Sequence, residues 1–125
     1  MKKIWVNGCF DVLHIGHIRM LKYASSLGDI LTVGIDSDIR VRELKGPDRP
    51  INNESIREEF LRSLSCVDEV VIFGTDEELR GHIKNHDLIV VGREYEKKGV
   101  IGSDVCDVEY FDRIGDYSTS KIIGG

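Results

Sequence analysis

Four short runs of apolar, mostly β-branched residues, Ile4–Val6, Ile30–Ile35, Val70–Phe73 and Leu88–Val91, alternate along the chain with longer amphipathic stretches. A nearly continuous apolar run such as Ile30–Ile35 is expected of a strand covered on both faces. Strand–helix alternation of this kind implies an α/β fold, a doubly wound parallel sheet with helices on either side. The expected helices are Ile18–Leu27, stopped by Gly28-Asp29, then Asn53–Leu64, Asp76–Asn85 and a last one at Ser118–Ile123. Ile56, Phe60, Leu61 and Leu64 share one face of the second of these. Val108–Phe111 reads as a short edge strand. With 125 residues and no repeat, low-complexity tract or linker, the expectation is a single domain over residues 1–125.

The net charge of −5 opposes a nucleic-acid surface, which depends on clustered Lys and Arg. A site for one nucleotide needs only a few local cations, so the charge leaves that open. No apolar run approaches the ~20 residues that cross a bilayer, and Met1-Lys2-Lys3 leads directly into a strand instead of a signal segment. No membrane partner is expected, and the expected location is cytoplasmic. Cys9, Cys66 and Cys106 form no spaced framework, which fits a reducing compartment. Zinc held by Cys9, His14 and His17 is not expected, because no fourth ligand is evident; no metal ligands are assigned.

The chemistry points to His14-Ile15-Gly16-His17, just after the first strand and the segment Asn7-Gly8-Cys9-Phe10-Asp11. At a strand-to-helix junction the first helical N–H groups lack intrahelical partners, and the helix dipole favours negative charge. Two imidazole donors placed there suit a polyphosphate. Gly8 and Gly16 let backbone turn sharply and approach a ligand. Sites in parallel sheets lie beyond the carboxyl ends of the strands. The segments expected to emerge there are Gly8–His17, Asp36–Lys45, Phe73–Glu77 and Gly92–Gly102.

Asn7–His17 resembles the first signature of the cytidylyltransferase-like nucleotidyltransferases, whose catalytic element is His-x-Gly-His. The resemblance implies a Rossmann-like fold and condensation of a nucleoside triphosphate with a phosphorylated alcohol or sugar, releasing pyrophosphate. It makes His14 and His17 the donors to the α-phosphate and the departing pyrophosphate. Leu44-Lys45-Gly46-Pro47-Asp48-Arg49-Pro50-Ile51-Asn52, a shaped loop by its Gly and Pro content, looks most like the adenylyltransferases that activate heptose 1-phosphate. Lys45 then corresponds to the lysine that contacts the transferred phosphates.

Other positions follow from the same resemblance. Gly8, Cys9, Phe10, Gly16 and His17 are assigned to the nucleotide, as are Gly92, Glu94 and Tyr95, where relatives carry Gly-x-Asp-Trp or Gly-x-Asp-Tyr. Arg113-Ile114-Gly115-Asp116-Tyr117-Ser118-Thr119-Ser120 resembles the final signature, although Ile114 replaces a threonine and Gly115 sits one place early. Ser118, Thr119 and Ser120 join the nucleotide set. Asp11, Asp36, Lys45, Arg57, Arg93 and Arg113 are assigned to the acceptor or to phosphate. Three of these keep a plainer reading beside that one. Asp11 would orient the motif's donors or cap a turn; Asp36, with Asp38, would cap a helix; Arg57 would be a surface arginine beside Glu54 or Glu58.

The leading function is therefore adenylyl transfer from ATP to a sugar 1-phosphate such as heptose 1-phosphate. CTP-dependent activation of glycerol 3-phosphate or another phospho-alcohol is the rival, and adenylylation of flavin mononucleotide a third. From a different class, the chain would be a catalytically silent nucleotide-binding regulatory module. Class I aminoacyl-tRNA synthetases also use His-Ile-Gly-His, but 125 residues do not hold their catalytic and tRNA-binding parts. Mg²⁺ accompanying the triphosphate and a homodimer are expected from the resemblance.

Overall fold

The computed structural model describes residues 1–112. The final signature, with Arg113, Ser118, Thr119 and Ser120, and the last expected helix lie outside the described residues. In chain order the elements are β1 (Lys3–Gly8), α1 (Ile15–Ser26), β2 (Ile30–Asp36), α2 (Asp38–Lys45), α3 (Glu54–Arg62), β3 (Glu69–Phe73), α4 (Asp76–Ile83), β4 (Leu88–Gly92), a 3₁₀ turn at Arg93–Tyr95 and β5 (Asp107–Phe111). All five strands are parallel, in the order β3-β2-β1-β4-β5. Val108–Phe111 is indeed an edge strand. Among the described residues no helix is long and apolar enough to cross a membrane.

Alternation within the strands loads both faces of the sheet. Ile4, Val6, Leu31, Val33, Ile35 and Val70 pack on one side with Leu21 and Ala24 of α1 and Leu61 of α3. Trp5, Phe73, Ile89 and Val91 pack on the other with Leu79 and Ile83 of α4. The Trp5 ring lies over Gly34 of β2, where a Cβ would come within 2.3 Å of it, so a glycine there is what lets the largest core side chain in.

The chain leaves β1 in one direction through β2 and β3, then returns to the other side of β1 for β4 and β5. The β1–β4 seam is thus the switch point of the sheet, where ligands of such folds bind. Register opens that seam. β1 pairs with β2 from Lys3↔Ile30 to Gly8↔Ile35, but with β4 only at Ile4↔Leu88 and Trp5↔Ile89. Past Trp5 and Ile89 the two strands part, and a crevice starts between Val6–Gly8 and Val90–Gly92.

Two elements differ from the sequence expectation. α1 begins at Ile15, three residues early, because His14 acts as its N-cap. Asp36–Lys45, expected as an emerging segment, is mostly helix α2. Ser37 caps it by accepting from Arg40 N at 3.2 Å, and Gly46, at φ 106, ends it. Only Val41 of α2 is buried, so the segment carries almost no apolar period to announce it.

Candidate active site

The turn between β1 and α1 builds the centre of the site. Phe10 holds a left-handed backbone, φ 50, a region that non-glycine residues seldom occupy outside sites that need it. Its ring is buried and meets the His17 ring edge-on, with centroids 5.1 Å apart. The two imidazoles then cap the helix. Gly16 N donates to His14 Nδ1 at 3.1 Å, and His14 N donates to His17 Nδ1 at 3.3 Å. This is a capping box made of histidines in place of the usual Ser/Thr and Glu. A neutral imidazole that accepts at Nδ1 carries its proton at Nε2. The box therefore fixes the tautomer of both rings, which stack with centroids 3.8 Å apart.

A cavity of about 620 Å³ lies over this turn, a volume ordinary for small-molecule sites. Gly8, Cys9, Phe10, His14, Gly16 and His17 line it from the β1 end. Asp36, Leu44 and Lys45 line it beyond β2, and Gly92, Glu94 and Tyr95 beyond β4. The structure thus gathers most of the residues singled out in the sequence around one space. Neither Lys45 nor Lys98, which also lines the cavity, has a carboxylate partner among the described residues. Cys9 lines the cavity, and burial pushes its thiol above the ordinary value, although Lys45 and Arg57 oppose this.

Three assigned residues stand elsewhere. Asp11 is buried and points its carboxylate at the loop after α2. It accepts from Ile51 N at 2.9 Å, Asn52 N at 2.8 Å and Arg49 Nε at 2.9 Å, while Asn52 Nδ2 donates to its carbonyl at 2.6 Å. Burial raises its carboxyl, but the amides of Asn52 and Ile51 and the Arg49 guanidinium outweigh this and hold it below the usual carboxylate value. With both oxygens engaged by residues 49–52, Asp11 anchors a loop. Arg57 is not on the surface and does not line the cavity. It is fully buried and donates to the carbonyls of Asn52, Cys9 and Asp36 and to Asp38 Oδ1, at 2.7–2.9 Å. It ties the carboxyl ends of β1 and β2 to α3. Arg93 turns away from the cavity, donating to Asp112 at 2.9 Å and Glu96 at 2.6 Å, with its guanidinium over the Tyr110 ring.

Sequence reasoning missed Arg40, on the cavity wall. Its Nε donates to Asp36 Oδ1 at 2.8 Å and its Nη2 to Asp76 Oδ1 at 2.7 Å, and its guanidinium lies 5.2 Å from the Phe73 ring centroid. Burial opposes its charge, and Asp76 and Asp36 outweigh that. The signal was present as an opposite-charge pair four residues apart, Asp36 and Arg40. As for metals, no group of three or more His, Cys, Asp or Glu among the described residues is arranged to hold an ion.

The model of the family described as cytidylyltransferase-like matches residues 5–124. The bifunctional protein HldE of Nitratiruptor sp. is 46% identical over 123 residues, which cover 96% of this chain and 26% of that protein. The bifunctional protein HldE of Aliarcobacter butzleri is 48% identical over 108 residues, covering 85% of this chain and 22% of that one. The chain thus spans about a quarter of the length of the curated relatives it matches. Among solved structures, a lipopolysaccharide core biosynthesis protein from Thermoplasma volcanium aligns with TM-score 0.72 and 29% identity, over 94% of this chain and 99% of that one.

Proposed function

The chain belongs to the cytidylyltransferase-like family, and from that premise we propose that it is a nucleotidyltransferase acting on a sugar 1-phosphate such as heptose 1-phosphate, with ATP as the favoured nucleotide. An oxygen of the acceptor phosphate attacks the α-phosphorus. The bond from that phosphorus to the α–β bridging oxygen breaks, and its electron pair leaves with pyrophosphate. No covalent enzyme intermediate is needed, so catalysis rests on alignment and on stabilising charge.

The observation that carries this reading is the histidine capping box at the mouth of α1. Each ring is held in the Nε2–H tautomer at a helix N-terminus, where the dipole and the first N–H groups favour anions. Such donors stabilise the charge that develops on the α-phosphate and the pyrophosphate. Lys45, at the end of α2, supplies a full positive charge on the same cavity. Glu94 and Tyr95, beyond β4, form the wall for the base.

Among the described residues, Asp36 and Glu94 are the carboxylates on the cavity wall, and Asp36 pairs with Arg40. That donor set fits Mg²⁺ carried in on the triphosphate rather than an ion caged by the protein. Bound there, the ion would supply positive charge against the phosphates and the departing pyrophosphate.

The sugar acceptor is supported by the Leu44–Asn52 and Gly99–Ser103 segments, which resemble the heptose 1-phosphate adenylyltransferases. It is also supported by similarity to a protein described by its role in lipopolysaccharide core biosynthesis. The family's description as cytidylyltransferase-like favours a second reading, CTP with glycerol 3-phosphate. Pyrophosphate release, measured with ATP, CTP, GTP and UTP against a panel of phosphorylated sugars and alcohols, tests both. Release with ATP and a sugar 1-phosphate is the expected result. Release with CTP and glycerol 3-phosphate alone would install the second reading, and nucleotide binding without any release would indicate a regulatory module.

A further inference from the structure

We propose that Arg40, clamped between Asp36 and Asp76 beyond the carboxyl end of β2, selects the acceptor by its hydroxyl groups. Arg40 Nη1 donates to one hydroxyl while Asp36 Oδ2 accepts from another. The inference takes from the transferase reading only that this side of the cavity receives the acceptor.

The clamp leaves the guanidinium little freedom. Nε is held by Asp36 Oδ1 at 2.8 Å, Nη2 by Asp76 Oδ1 at 2.7 Å, and the Phe73 ring lies against it. The Arg40 and Asp36 side chains are each only 14% exposed, yet both line the cavity. Arg40 Nη1 and Asp36 Oδ2 have no protein partner among the described residues. No buried polar side-chain atom there goes unpartnered, so both atoms remain open to a ligand. A fixed donor and a fixed acceptor on one stretch of cavity wall can serve two hydroxyls of a polyol, one accepting and the other donating.

Charge narrows the ligand further. Two carboxylates flank one guanidinium, so the triad carries a net negative charge and disfavours a second anionic group on the acceptor. Lys45, at the end of the same helix, is a cation with no carboxylate partner among the described residues and is available for the acceptor's single phosphate. The subsite thus fits a polyhydroxylated monophosphate, not a bisphosphate and not a phosphate whose body lacks hydroxyls.

The test is binding, read by calorimetry, of two probes of similar size, D-mannose 1-phosphate and cyclohexyl phosphate. The whole chain is used, as wild type, Arg40→Met and Asp76→Asn. Wild type should bind the sugar phosphate about tenfold more tightly, the worth of one or two hydrogen bonds. Arg40→Met should erase that margin by weakening the sugar phosphate alone, and Asp76→Asn should reduce it. Asp76 is largely exposed, so that variant carries the test if Arg40→Met does not fold.

Equal or undetectable binding of the two probes by wild type would overturn the proposal. So would an undiminished margin in the folded variants, or tighter binding of fructose 1,6-bisphosphate. Hydroxyl-dependent binding without pyrophosphate release would instead count against the transferase reading and leave this one standing.

Discussion

Asp38 and Glu54 cap each other's helices: Asp38 N donates to Glu54 Oε1, and Glu54 N donates to Asp38 Oδ1, both at 2.8 Å. They are the first residues of α2 and α3, where backbone donors lack intrahelical partners. Arg57 Nη2 donates to the same Asp38 oxygen at 2.8 Å, so one exposed-looking acidic residue joins two helix starts to a buried guanidinium. Helix α2, which carries Lys45 to the cavity at its far end, starts from this junction.

Removing Arg57 should therefore cost stability and not merely substrate affinity. Arg57→Met leaves Asp38 and three carbonyls without their donor, and breaking a buried pair from one side costs about 3–5 kcal/mol. Urea unfolding measures it. An arginine that served only phosphate would instead raise the nucleotide KM with no change in the unfolding midpoint.

Asp11 should make stability depend on acid. Its folded carboxyl lies below the unfolded value, so its contribution is fully present above about pH 4 and is lost as pH falls through the folded value. Asp11→Asn should be less stable than wild type at neutral pH, and the gap should close as the solution is acidified below about pH 4. Thermal melts across pH 3–7 check this. A gap that stays constant or widens in acid would contradict it.

The capping role of His14 and its proposed role as a phosphate donor can be separated by one substitution. His14→Ala removes both the N-cap acceptor and the Nε2 donor, and the lost cap alone costs about 0.5–2 kcal/mol. His14→Asn restores a side-chain acceptor for the cap but puts no donor where Nε2 was. Its melting temperature should approach wild type, while turnover stays depressed by about 10²–10³.

Gly92 stands beside Glu94. A Cβ at Gly92 would lie 2.3 Å from Glu94 Oε2 and 2.5 Å from Oε1, atoms at the end of a movable side chain. Gly92→Ala should thus fold with little loss yet displace the Glu94 carboxylate, raising the nucleotide KM more than it lowers the unfolding midpoint. Gly34→Ala should do the reverse, because the atoms its Cβ meets belong to the buried Trp5 ring.

Much of the fold was legible because strands covered on both faces read as apolar runs, and each of the four runs seeded a strand. The histidine pair was legible too, since two donors at a strand–helix junction make chemical sense before any coordinates. Helix α2 was not, because one buried residue leaves no period to see. Arg57 escaped because charge signals surface, and its burial depends on carbonyls from three separate segments. Asp11 escaped because its partners lie about 40 residues away, at Ile51 and Asn52, and only the folded loop brings them together.

The central claim is that the two imidazoles hold the reacting phosphates. A crystal structure with an unreactive ATP analogue, methylene-bridged between the α- and β-phosphorus atoms, tests it most directly. The account predicts oxygens of the α- and β-phosphates about 2.7–3.2 Å from Nε2 of His14 and of His17. A nucleotide bound with its phosphates directed away from both rings would contradict it.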